Sequence, residues 1–111
     1  MRPYAIFIVF LLMLLGLHPA GNAAIDPIDS LKGLISRAPH DTTKAFYTNQ
    51  LGTAFFNSDL DSAGFYWDKA LKMGEALLSH EDTLVRRAGK LQIMKSASNC
   101  AVVHQYRGRY P

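Results

Sequence analysis

Residues 51–71 read LGTAFFNSDLDSAGFYWDKAL, from Leu51 to Leu71. The middle of this stretch, Asn57-Ser58-Asp59, is a turn by composition, because its side chains compete with a helix for backbone hydrogen bonds. Before it stand Leu51, Gly52 and Phe55; after it stand Leu60, Ala63, Trp67 and Ala70. Both sets repeat at helical spacing and mix small residues with large ones. Two antiparallel helices packed closely need that mixture, since a small residue at the crossing admits a bulky one opposite. The stretch therefore predicts a helical hairpin.

Working outward, the second helix of the hairpin continues to about residue 79. On a wheel of about 100° per residue, Leu60, Ala63, Gly64, Trp67, Ala70, Leu71, Gly74, Leu77 and Leu78 share one stripe. Asp61, Asp68, Lys69, Lys72 and Glu75 fall opposite. The first helix runs from a cap at Asp41 to about Asn57, with Tyr47, Leu51, Ala54 and Phe55 on one side and Ala45, Gly52 and Phe56 on another. A helix apolar on more than one side packs on more than one side. Upstream, Asp26-Pro27 opens a further helix with an acidic cap and proline at the first helical position. Ile28, Leu31 and Ile35 form its stripe, and Ala38-Pro39 closes it.

Downstream, Ser79 to Thr83 interrupts the periodicity with capping residues, and a last helix reaches about Arg107 before Gly108. Strand-like alternation is missing, so the expected class is all-α. The first residues stand apart from the fold. Met1-Arg2 is followed by an unbroken apolar run from Ala5 to Leu17 and then by small residues, with best cleavage after Ala23 or Ala24. That layout predicts an exported chain with a signal over residues 1–24, the alternative being a retained N-terminal anchor that makes the only membrane contact.

Removal of such a signal leaves fewer than ninety residues, a size at which one core is marginal. Cys100 is the single cysteine, so no internal disulfide helps. Charge is divided unevenly. All nine acids lie between Asp26 and Asp82, against five bases there, whereas six bases and no acid follow Asp82. Arg86, Arg87 and Lys90 form a candidate face for an anionic partner, with solvation of a helix face as the plain alternative. The patch is short and carries no nucleic-acid motif, so nucleic acid is not expected as a partner.

The hairpin resembles a tetratricopeptide repeat (TPR), in which helix A carries a large residue, a leucine-glycine pair and an aromatic, and helix B carries an aromatic and then small, aromatic and small residues. Leu51-Gly52, Phe55, Leu60, Ala63, Trp67 and Ala70 match, with the turn one residue shorter than usual. Cys100-Ala101 and His104 fill the leucine-glycine and aromatic places of a second, weaker unit, with Gly108 and Tyr110 following. The interval from Leu51 to Cys100 exceeds the usual period of about 34 residues. The resemblance implies a TPR-like α-solenoid divided into a signal (1–24), a capping helix (25–40), a helix pair (41–80) and helix A of an incomplete second repeat (81–111). The whole chain is similar to the exported front ends of repeat-bearing signalling proteins of Bacteroidetes type, which carry further repeats and a histidine kinase or DNA-binding output. A truncated sensor end is the expectation that follows.

The resemblance also implies a ligand surface on the outward positions of the A helices. These are Phe46, Asn49, Thr53 and Phe56 in the first unit, and Lys95, Ser98, Val102 and Gln105 in the second. Phe46 and Phe56 either grip an apolar peptide or pack against the first helix. The mapping accounts for Lys95, which interrupts a stripe of Leu84, Ala88, Leu91 and Val102. The lysine-asparagine clamp of some repeats is not matched in the first unit, which disfavours chaperone-tail binding. The expected partner is a protein or peptide, with no cofactor, metal or catalysis. The alternative is a small exported helical protein that uses Cys100 and His104, four apart on one helix face, as a thiol-histidine pair or as metal ligands. His40 and His80 fall at helix boundaries, and Asp59 and Asp61 read as turn and cap residues.

Overall fold

The computed structural model describes residues 26–108. Four helices fill that range: α1 (Pro27–Arg37), α2 (Asp41–Phe55), α3 (Leu60–Leu77) and α4 (Thr83–Tyr106). Strands are absent among the described residues, and the all-α class stands. The expected signal over 1–24 and the Tyr110-Pro111 end lie outside them. No described helix is long and apolar enough to cross a membrane.

Three of the helices start on an aspartate. Asp26 accepts from the Ile28 N–H at 3.0 Å, with Pro27 opening α1. Asp59 accepts from the Ser62 N–H at 3.1 Å and from its hydroxyl at 2.6 Å. The Ser62 hydroxyl is the main reason that the Asp59 carboxyl is held below its ordinary range. Asp82 accepts from the Leu84 N–H at 2.8 Å. Helix α2 differs from expectation: Asp41 lies inside its first turn, and the cap position, His40, makes no side-chain capping bond. The Asp41 charge acts there on the helix dipole instead. Helix α4 stops as its sequence requires, with Gly108 in the left-handed region at φ 67°.

Contacts fix the directions of the helices. Between α3 and α4, Gly64 lies by Val103 while Gly74 lies by Gly89, so the two run antiparallel. Helices α2 and α3 are also antiparallel, Asp41 flanking Leu77 at one end and Phe55 stacking on Tyr66 near the other. Consequently α2 and α4 point the same way, with Phe46 beside Lys95 and Phe56 beside Tyr106. Helix α1 packs on α2 only and has no fully buried residue.

The core is built from close backbone approaches. A Cβ on Gly52 would stand 2.5 Å from Cδ1 of Trp67, so the indole occupies the space of the missing side chain. Across the second pair of helices, a Cβ on Gly89 would meet the Gly74 carbonyl at 2.8 Å and the Leu77 Cβ at 2.9 Å. Leu51, Gly52, Ala63, Trp67 and Ala70 are buried as expected, and Phe55 and Leu60 pack half-buried against Trp67, Ala63 and Val103. Of the proposed second unit, Cys100 and Ala101 are half-buried. His104 is exposed, contrary to the core place expected for it. It lies at the outer edge of the α3–α4 groove with Asp61, Phe65 and Asp68 rather than beneath α3.

These contacts set two expectations for thermal melts followed by circular dichroism. Replacing Gly89 with alanine should gain about 1 kcal/mol of helix propensity but lose more to overpacking, which typically costs 1–3 kcal/mol, because the obstacle is backbone. Gly33→Ala is the control: its new Cβ meets only the movable end of Arg37, at 3.3 Å, and should be neutral or stabilising. Trp67→Ala should cost about 3–5 kcal/mol, and an unshifted melt would refute the packing described.

Candidate functional site

Helix α4 buries an unusual face. Its fully buried side chains are Gln92, Ser96 and Val103, together with Gly89, so two of the three are polar, while Val103 and Ile93 meet the glycines of α3. Those polar groups are all paired. Gln92 Nε2 donates to Ser96 Oγ at 2.8 Å, and Ser96 Oγ donates to Asn49 Oδ1 at 3.0 Å. Asn99 Nδ2 donates to the same oxygen at 3.2 Å. On the α3 side, Trp67 Nε1 donates to the Asn49 carbonyl at 3.1 Å and to Thr53 Oγ1 at 3.3 Å. No buried side-chain nitrogen or oxygen among the described residues lacks a partner. Asn49 thus joins three helices through one side chain and its own carbonyl.

This corrects one expected ligand contact. Asn49 is 8% exposed and its side-chain oxygen is committed to Ser96 and Asn99, so it does not face outward. Phe56 is corrected in the same way: it is half-buried, its ring 5.6 Å from that of Trp67 and 5.5 Å from that of Tyr106. Its packing partners are α3 and α4, not the first helix. Val102 is half-buried. The remaining expected contacts, Phe46, Thr53, Lys95, Ser98 and Gln105, are exposed.

Two of these come together. Lys95 Nζ lies 5.7 Å from the centroid of the Phe46 ring, a cation–π distance, and so links the outer faces of α2 and α4. Beside them a groove of about 410 Å³ is lined by Asn49, Leu91, Met94, Lys95, Ser98 and Asn99. Leu91, Met94 and Asn99 were not among the expected contacts. Leu84 and Leu91 belong to the apolar stripe visible in the sequence, yet they are 68% and 52% exposed, and Met94 is 68% exposed. Leu84 and Leu91 of the stripe thus lie on the outer face with Met94, while its Ala88 and Val102 are half-buried, and the buried face combines Gly89, Gln92 and Ser96 with Val103.

The expected anionic-partner face is divided. The Arg86 guanidinium donates to the carbonyls of His80 (2.8 Å) and Glu81 (2.7 Å) and to the Thr83 hydroxyl (3.0 Å), tying down the turn before α4. Arg87 and Lys90 are exposed on α4. At the far end of the helix Arg107 pairs with Asp61, and on α3 Lys72 pairs with Asp68 at 2.9 Å.

Cys100 lies in a second groove, of about 380 Å³, with Asp61, Phe65, Asp68, Val103 and His104. Burial, and then the negative charge of Asp68, push its thiol above the ordinary value of 9.0. A thiol so placed is protonated at neutral pH and is a poor nucleophile. No group of three or more His, Cys, Asp or Glu among the described residues is arranged to hold a metal ion. His40 and His80 are exposed at their helix boundaries, and His80 Nδ1 accepts from the Asp82 N–H at 3.0 Å.

The described residues form an all-α fold of four helices with a partly apolar outer groove. No family model matches the chain, and no curated protein or solved structure matches it either.

Two measurements check the geometry. Asn49→Ala removes the acceptor shared by Ser96 and Asn99 and should cost about 1–3 kcal/mol in a urea melt, while exposed Gln50→Ala should stay within about 0.5 kcal/mol. For Cys100, the folded chain holds the thiol proton more tightly than the unfolded one. Its contribution to stability is therefore complete below the unfolded thiol pKa and is lost as pH climbs through the folded one. Disulfide-reagent labelling at neutral pH should accordingly be slower in the folded chain than in urea, and equal rates would reverse this assignment.

Proposed function

We propose that the chain is a non-catalytic helical scaffold of TPR-like solenoid type, which binds a protein or peptide along the outer face shared by α2 and α4. The observation that carries this reading is the groove beside Phe46, where Leu91, Met94, Lys95 and Ser98 are left uncovered around a rigid base of paired polar groups. Exposed apolar side chains of this size, framed by polar ones, are what interaction surfaces present. The repeat-like character is supported by the common direction of α2 and α4. It is supported also by the glycine, alanine and tryptophan meshing of α2 with α3. Export rests on the signal-like layout of residues 1–24, and a place at the sensor end of a longer signalling protein on the resemblance of the sequence alone.

The test is selection from a random peptide library against the whole chain. Recovered peptides should bind Phe46→Ala and Met94→Ser about tenfold more weakly, which corresponds to the loss of one moderate contact each. The same peptides should bind Glu75→Gln, on the outer side of α3, as they bind the parent. Binding that ignores Phe46 and Met94 would move the site elsewhere, and failure to recover any peptide would overturn the reading.

A further inference from the structure

The chemistry of the partner is written on α4. Between Thr83 and Tyr106 the helix carries four cations and no acid. Arg86 is occupied with the preceding turn. The other three, Arg87, Lys90 and Lys95, make no ion pair among the described residues, and all are exposed. They share the outer face with Leu84, Leu91 and Met94 by helical spacing. Arg87 and Lys95 stand one turn either side of Leu91, and Lys90 stands one turn before Met94. An apolar row is thus bracketed along its length by positive charge, and nothing of the opposite sign on α4 neutralises it.

From this we infer that the occupant of the α2–α4 groove is an acidic amphipathic peptide segment. Its apolar side chains would seat against Leu84, Leu91 and Met94, and its carboxylates would meet Arg87, Lys90 and Lys95. This rests on the scaffold reading above and adds the sign and spacing of the partner. Leu84 and Leu91 lie seven residues apart, about 10 Å along a helix, so two anchors about two helical turns apart fit the row. Opposite charges at the rim speed encounter and select among partners, while the apolar anchors supply most of the affinity. A peptide is favoured over a lipid surface because Phe46 of α2, held against Lys95, gives the row a second wall. A membrane-lying helix instead presents its apolar face outward to a plane.

The experiment measures fluorescence anisotropy of three labelled helical peptides of about fifteen residues against the whole chain. One pairs leucine anchors with glutamates, one pairs the same anchors with lysines, and one keeps the glutamates but replaces the anchors with serine. The first should bind best and should weaken about tenfold when salt rises from about 0.05 M to about 0.3 M, since exposed charges are then screened. R87E/K90E/K95E, its fold checked by circular dichroism, should reverse the preference to the lysine peptide. Equal binding of the first two would overturn the acidic assignment and leave the scaffold reading intact. Failure of all three together with an empty library selection would remove both. Co-sedimentation with phosphatidylglycerol vesicles, lost in the triple variant while no peptide binds, would reassign the face to membrane.

Discussion

Everything in this fold depends on how Trp67 meets α2. The indole lies where Gly52 has no side chain, and its N–H reaches the Asn49 carbonyl one turn earlier. A buried Trp that failed to satisfy its donor would give back about 1–3 kcal/mol of what its packing supplies. The same residue therefore sets both the distance between α2 and α3 and their axial register. Asn49 carries the constraint onward, because its side chain on the other side receives Ser96 and Asn99 of α4. The third helix of the set is thereby positioned against a point already fixed by the first two.

Much of this was legible in the sequence, and for local reasons. Small and large residues alternate at helical spacing on both sides of Asn57-Ser58-Asp59, and Asp26, Asp59 and Asp82 each stand where a capping side chain is needed. Such signals lie within a few residues of one another and survive without knowledge of the tertiary structure. The place of Asp41 was misjudged because two adjacent polar residues, His40 and Asp41, offer the same composition to a rule that cannot see backbone angles.

The faces of α4 were harder to read, and the reason is physical. Periodicity finds the apolar side of a helix and assigns it to the core, but the buried side of α4 sets Gly89, Gln92 and Ser96 beside Val103. Burial of those polar groups is tolerable only because each is paired, and the group that completes the pairing, Asn49, lies 47 residues from Ser96. No local pattern reports a partner so distant. The mislocation of Asn49 as an outward contact is the same error seen from the other helix, and His104 was misplaced by matching a position in a repeat rather than an observed neighbour.

The polar seam on the buried side of α4 divides stability from recognition. A helix that buried Leu84, Leu91 and Met94 would gain apolar burial, at roughly 1.5–3 kcal/mol for each side chain. It would also lose what a polar contact supplies, namely a single allowed register, since hydrogen-bond partners must align whereas apolar ones can slide. By holding α4 through Gly89, Gln92 and Ser96 together with Val103, the fold obtains close approach and register together and leaves Leu84, Leu91 and Met94 on the surface. Those side chains remain half or more uncovered among the described residues. Their favourable burial is still available to a molecule that covers them, and the rigid polar seam beneath keeps them aligned for it.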